Sequence, residues 1–248
     1  MRLDQALVAR GLARSRSQAR DQIVRGLVKV DGRAVSKAGL AVTTETRIDL
    51  AAAVQARVSR GGQKLAHAIE HFAVDPADLI AIDVGASTGG FTEELLGRGA
   101  THVYAVDIGT NQLHSSLRND PRVTVLEQTD ARSLTDAEIG QPINAIVSDV
   151  SFISLTKVLA PAMTLARPGA WLIALIKPQF ELAPASIGKG GIVRSTGAHE
   201  LACRNVEAWL DNQPRWRTHG MIPSPITGKA GNEEFLIAAT RDADKDRV

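Results

Sequence analysis

The chain has 248 residues, 44% apolar and 23% charged, with 29 Lys+Arg against 27 Asp+Glu and a formal net charge of +2. These values are ordinary for a folded protein of one or two domains and exclude disorder and fibres. The longest strongly apolar run, residues 171–176, is far short of the roughly 20 residues a membrane helix requires, no basic-then-apolar leader opens the chain, and the lone Cys203 excludes an internal disulfide or a cysteine-based zinc site.

The near-neutral total hides a split. Residues 1–60 hold 12 Lys/Arg and five Asp/Glu, a balance of +7, whereas residues 61–248 carry −5. A basic module ahead of a mildly acidic one points to a polyanionic partner. Within it, Leu3, Ala6 and Leu7 fall on one helical face before a Gly11 stop, and a second helix from about Ser17 turns Ala19 and Ile23 inward. Arg16 and Arg20 stand one turn apart, so their guanidinium groups are expected on one exposed face beside Arg14, a geometry suited to phosphate oxygens. Residues 27–30 and 33–35 flank Asp31-Gly32, the dipeptide of a tight two-residue hairpin, and residues 46–50 read as another strand. The run RLDQALVARGLARSRSQARDQIVRGLVKVDGRAV resembles the small α+β RNA-binding module of ribosomal protein S-four, pseudouridine synthases and several RNA-modifying enzymes. The resemblance covers residues 1–50 and implies structured RNA as the ligand. Residues 51–60, Ala-rich at first, read as a linker to a second domain over 61–240, and residues 241–248 as a solvated tail.

The second domain alternates helical and strand patterns. Leu65, Ala68, Ile69 and Phe72 mark a helix, residues 79–84 a buried strand, 91–96 a helix and 102–106 a strand. Strands are also expected at 123–126, 145–147 and 171–176, with helices at 112–117 and 155–165 between them. Such alternation predicts an α/β fold with a mostly parallel sheet, whose ligands bind at the carboxyl ends of the strands.

The first such end is the loop Asp83-Val84-Gly85-Ala86-Ser87-Thr88-Gly89-Gly90-Phe91, where glycines let the backbone approach a ligand closely. Asp107, with Ile108 beside it, ends the next strand, where a carboxylate can accept both hydroxyls of a ribose. Nicotinamide dinucleotides and S-adenosylmethionine both suit this geometry. The second is favoured because Ser87 breaks the middle of the dinucleotide pattern and Asp130 follows the next strand, where an adenine amino group could be read. In addition, residues 217–223 and 233–239 form a terminal hairpin resembling that of the seven-stranded, Rossmann-like adenosylmethionine-dependent methyltransferase sheet.

Four residues are placed for chemistry. Lys64 opens the first helix, Asp149 and Lys177 follow buried strands directly, and Glu234 opens the last strand, with Glu233 beside it and Phe235 after it. The methyl of a sulfonium is already activated, so an enzyme must align the acceptor and stabilise the alkoxide that develops as a ribose hydroxyl loses its proton. Ammonium groups do this electrostatically, and carboxylates hold them in place.

VSRGGQKL, DVGASTGGFT, AVDIG, SDVSFISL, IKPQFE, GKGGIVR and SPITGKAGNEEF occur in the order seen in the haemolysin A-like (TlyA) RNA 2′-O-methyltransferases, which the chain resembles over nearly its whole length. The resemblance implies a Lys64, Asp149, Lys177, Glu234 tetrad, with Lys177 nearest the attacking 2′-oxygen and the others orienting it. It implies S-adenosylmethionine held by Asp83, Gly85, Ala86, Ser87, Gly89, Gly90, Phe91, Asp107, Ile108, Asp130 and Asp149, and a cytidine of ribosomal RNA as acceptor. RNA contacts are expected from Arg14, Arg16, Arg20, Lys29, Arg60 and the glycine-rich loop bearing Lys189 and Arg194. His67-Ala68-Ile69-Glu70-His71 matches a zinc-protease string, but the surrounding pattern already accounts for that helix, and no metal is expected. A cytoplasmic monomer acting on ribosomal RNA is the expectation. Base methylation, nicotinamide-dependent oxidoreduction and membrane lysis stand as alternatives.

Overall fold

The computed structural model describes residues 1–13, 16–24, 26–50, 58–228 and 230–243. Arg14, residues 51–57 of the expected linker and residues 244–248 of the expected tail lie outside them. The chain divides into two compact units, Met1–Arg57 and Val58–Val248.

The first unit contains α1 (Leu3–Ala9), α2 (Arg16–Val24) and a three-stranded antiparallel sheet of β1 (Val28–Val30), β2 (Arg33–Val35) and β3 (Ile48–Leu50), ordered β2-β1-β3. Asp31 and Gly32 take φ of +48° and +80°, the left-handed pair that lets Val30 face Arg33 across a two-residue turn. Leu3, Leu7, Ala19, Ile23 and Val28 form its core. The expected strand from residue 46 begins only at Ile48, because the Thr46 hydroxyl is bound by the Thr43 backbone N–H in a local turn.

The second unit is built on a seven-stranded sheet of β4 (Ile80–Val84), β5 (His102–Val106), β6 (Val123–Leu126), β7 (Ile143–Ser148), β8 (Ala166–Ile176), β9 (Trp216–Pro223) and β10 (Phe235–Arg241). Their order across the sheet is β6-β5-β4-β7-β8-β10-β9. The first five in the sheet run parallel, while β10 is antiparallel to both neighbours. Its longer helices are α3 (Gly61–Phe72), α4 (Gly90–Gly97), α5 (Leu155–Leu165) and α6 (Thr196–Asp211). Alternate strand residues feed two cores. Ile82, Val84, Ile146, Leu172 and Ala174 enter one; Ala81, Ala145, Val147, Ile173 and Leu175 enter the other. Burial on both faces explains why these strands read as continuous apolar runs.

Two elements depart from their sequence pattern. The expected helix over 112–117 shrinks to a single turn, Ser115–Arg118. The Glu127 carboxylate takes the backbone N–H groups of Asn111, Gln112 and Leu113 at 2.8–3.0 Å, so they are unavailable to a helix. The strand expected at 171–176 starts at Ala166, with a register shift before Trp171 where Arg167, Pro168 and Gly169 are exposed and break the apolar pattern.

Gly89 caps α4 with φ +93°, and a Cβ there would collide with Leu117 and Leu113. Gly89→Ala is expected to cost about 1–3 kcal/mol through overpacking and left-handed strain, read as a lowered thermal midpoint of the full chain.

Candidate active site

Parallel strands end at one edge of the sheet, and so do the residues that could do chemistry. Asp149 follows β7 and Lys177 follows β8. Because β10 runs the other way, its start lies at the same edge: Phe235 pairs with Ile176, which brings Glu234 beside Lys177 in the register. Lys64 is added from the first turn of α3.

The four charges resolve into two ion pairs. Lys64 Nζ lies 2.6 Å from Glu234 Oε2, and Lys177 Nζ lies 2.7 Å from Asp149 Oδ1. Lys177 also donates to the Ser151 hydroxyl at 2.8 Å. Lys64, Lys177 and Glu234 are buried. Glu234 is packed so closely against Gly228 that any side chain at 228 would strike its carboxylate. Glu233, by contrast, is exposed and faces His199 at 3.4 Å.

All four residues line one cavity of about 680 Å³, a size typical of cofactor and small-ligand sites. Asp83, Gly85, Ala86, Ser87, Gly90 and Phe91 share its wall, as does Arg60. Asp83 is fully buried; its Oδ2 accepts from the Thr92 backbone N–H at 3.0 Å and hydroxyl at 2.7 Å, while Oδ1 has no hydrogen-bond partner. Burial pushes its pKa up to about 7, opposed by the Thr92 bonds and reinforced by the nearby Asp149. At Gly85, φ is +83° and the Val150 side chain and Asp149 backbone occupy the space a Cβ would need.

These features fit S-adenosylmethionine. The molecule carries an ammonium and a sulfonium, and the wall presents the Asp149 carboxylate, suited to positive charge, and an Asp83 oxygen with no partner in the protein, placed to form a hydrogen bond with a ligand. Gly89, Asp107, Ile108 and Asp130 do not line the cavity. Gly89 serves helix packing against Leu113 and Leu117. Asp107 accepts the N–H groups of Ser87 and Gly109 at 2.7 Å each, one per oxygen, and each oxygen keeps acceptor capacity for a ribose hydroxyl. Ile108 beside it is 72% exposed, an apolar face unoccupied by protein. The Asp130 carboxylate pairs with Arg132 at 2.6 Å, caps the turn Ala131–Ser133 and is held down at about 2 by that arginine, so it stays an ionised acceptor.

Of the expected RNA contacts, Lys29, Lys189 and Arg194 are exposed. Arg16 and Arg20 are exposed as well, and both also bind Asp4. The motif reading passed over Ser151, Phe152 and Asn232, though each stands inside a quoted motif. Phe152 is 90% exposed at the cavity rim, with φ +68°, and its ring lies 5.2 Å from that of Phe180. The buried Asn232 side chain accepts from the Val193 N–H and donates to the Gly191 carbonyl, each at 2.9 Å, fastening the glycine-rich loop to the tetrad's own loop.

A sheet of this order, with a glycine-rich turn after its central strand and charged residues gathered at the carboxyl edge, defines a Rossmann-like methyltransferase. Known proteins agree with this. Residues 57–241 match the model of the FtsJ-like methyltransferases and residues 1–48 that of the S4 domain, and the chain belongs to the FtsJ-like methyltransferase family. It is 44% identical over 247 residues to the 16S/23S rRNA (cytidine-2′-O)-methyltransferase TlyA of Mycobacterium tuberculosis, covering 98% of this chain and 91% of that one. The solved structure of a protein described as a hemolysin from Streptococcus thermophilus aligns with a TM-score of 0.77 at 37% identity, over 100% of this chain and 92% of that one. An O-methyltransferase from Bacillus cereus aligns with a TM-score of 0.52 at 18% identity over 75% and 83% of the two chains, a likeness of fold. No helix among the described residues is long and apolar enough to cross a membrane.

The raised pKa of Asp83 gives the stability a defined pH dependence. The folded chain keeps a proton that the unfolded chain, titrating near 3.8, releases. This group's contribution to stability therefore falls as pH rises from about 4 through about 7. Denaturation midpoints across that range should show the slope, and Asp83→Asn should flatten it.

Proposed function

We propose that this chain transfers a methyl group from S-adenosylmethionine to the ribose 2′-hydroxyl of a cytidine in ribosomal RNA, working as a monomer in the cytoplasm. The observation that carries the reading is the convergence of two lysine–carboxylate pairs, with both lysines and Glu234 buried, on one cavity at the sheet's carboxyl edge. A base nitrogen needs no such apparatus, whereas a ribose hydroxyl is a poor acid and must be helped to lose its proton. The activity named for the Mycobacterium tuberculosis relative supports the same choice.

The bound cofactor supplies a methyl group already activated on a sulfonium. The protein's residues do the rest. Lys177 Nζ, fixed by Asp149 and Ser151, faces the 2′-oxygen and stabilises the negative charge that develops there. Nζ, as an ammonium, has no lone pair; by giving a proton to Asp149 Oδ1, 2.7 Å away, it becomes able to take the hydroxyl proton. This leaves a neutral Asp149 acid, the ammonium and the 2′-oxyanion, with the pocket's net charge unchanged. Lys64, anchored by Glu234, holds the ribose. The exposed Phe152 ring at the rim, backed by Phe180, offers a stacking surface for a base drawn out of its helix.

Mapping ribose methylation on ribosomal RNA treated with and without the protein tests the assignment: a new 2′-O-methylcytidine is expected, and methyl on a base instead would reject it. Lys177→Ala should lower the transfer rate by at least about 10²-fold while adenosylmethionine affinity stays within about twofold. Lys177→Arg, which keeps the cation but not the proton acceptor, should fail to restore it. Full activity in Lys177→Ala would overturn the mechanism.

A further inference from the structure

In the amino-terminal unit, Asp4 is a fully buried acid in a module otherwise rich in cations. Three arginines close on it, Arg2 from just before α1 and Arg16 and Arg20 one turn apart on α2. Arg2 Nε lies 3.0 Å from Oδ1, and Arg16 Nη2 and Arg20 Nε lie 3.2 Å and 3.1 Å from Oδ2. The three arginine side chains remain 48%, 50% and 53% exposed. The carboxylate is thus enclosed while the cations around it stay half in water. Arg2 foremost, then Arg20 and Arg16, hold the Asp4 carboxyl well below the usual carboxylate range.

Three cations around one anion leave a net charge of +2 in a small patch. Guanidinium groups this close repel one another, and the shared carboxylate is what makes the arrangement tolerable. Each guanidinium has five N–H donors and gives Asp4 only part of them, so its exposed part can still donate to a second anion. A phosphate presents the same planar pair of acceptors that a carboxylate does.

We propose that Asp4 is a positioning residue for RNA: its buried carboxylate gathers Arg2, Arg16 and Arg20 into one preformed cluster that takes a backbone phosphate on its solvent side. This inference rests on the reading of the chain as an enzyme of ribosomal RNA. It assigns RNA contact to Arg2 and an indirect role to an acid. Its consequence runs against simple charge counting, because removing a negative charge from the basic unit weakens RNA binding.

The test uses the full chain and a ribosomal RNA fragment, with affinity followed by fluorescence anisotropy at two salt concentrations. Asp4→Asn should weaken binding about five- to tenfold although the net charge rises by one, with the salt slope reduced. Asp49→Asn, removing the acid beside Arg47 on β3, is the reference that simple charge counting also covers, and it should leave binding unchanged or tighter. Arg2→Gln should weaken binding about threefold alone and add little in the Asp4→Asn background, as members of one network do. Thermal midpoints and adenosylmethionine affinity are read alongside. Should Asp4→Asn fail to fold, Arg2→Gln, whose side chain is half in solvent, decides the matter on its own. Unchanged RNA affinity in Arg2→Gln, or equal or tighter binding by a folded Asp4→Asn, overturns the proposal. Retention on heparin separates it from the functional reading. The same order of variants without any ribose methylation would reject the activity and leave the cluster standing, whereas intact methylation with that order reversed would reject the cluster alone.

Discussion

The pairing of β10 with β8 sets the register on which the charged cluster at the sheet's carboxyl edge depends. Phe235 opposite Ile176 brings Glu234 level with Lys177, although the two belong to strands running in opposite directions. Side chains alternate along a strand, so a slip of one residue would turn the charged partner of Lys64 to the other face and bury a different set of residues. The register is held by the apolar set itself. Leu236 and Ala238 enter one core and Ile237 and Ala239 the other, so neither face can be exchanged without exposing the wrong residues. The charged cluster is therefore a consequence of apolar patterning several residues away.

That patterning sustains an arrangement that is unfavourable in isolation. Buried ion pairs seldom repay the desolvation of both partners, and replacing them with apolar groups is often neutral or stabilising. The Lys64–Glu234 pair, the half-buried Lys177–Asp149 pair and Asp83, whose pKa burial pushes up to about 7, stand within one cavity. Their persistence around an open space, rather than in the packed core, points to work done on a ligand. Pairing also limits the electrostatic penalty. Each lysine faces one carboxylate at 2.6 or 2.7 Å, so the cavity holds strong local fields with little net charge from the tetrad.

Local features were the ones legible in the sequence. Strands β4, β7 and β8 could be read because burial on both faces makes them continuous apolar runs, and Asp149 and Lys177 because a charge directly after such a run lies at the ligand edge. The Asp31-Gly32 turn was legible because its backbone demands left-handed residues. Features decided by distant partners were not. Nothing near residues 111–113 announces that Glu127 will take their N–H groups, and nothing near Arg16 and Arg20 announces Asp4, which lies 12 and 16 residues away in sequence. Asp130 could be read from its place after a strand, and Arg132 two residues on pairs with it. Asn232 sits between the Gly228 turn and Glu234, where its surroundings are supplied by segments remote in sequence.

The charge split reflects the same division between local and distant partners. A cavity that must receive a cationic cofactor benefits from acids, and residues 61–248 carry a balance of −5. The same acids disfavour a phosphate backbone, so the attraction for RNA has to come from elsewhere in the chain. Residues 1–60, at +7, carry the sign that a phosphate backbone requires. Separating the two functions into compact units lets each keep the sign its ligand requires. A single domain would have to hold both signs around one opening, where each would screen the other and raise the cost of burying the tetrad.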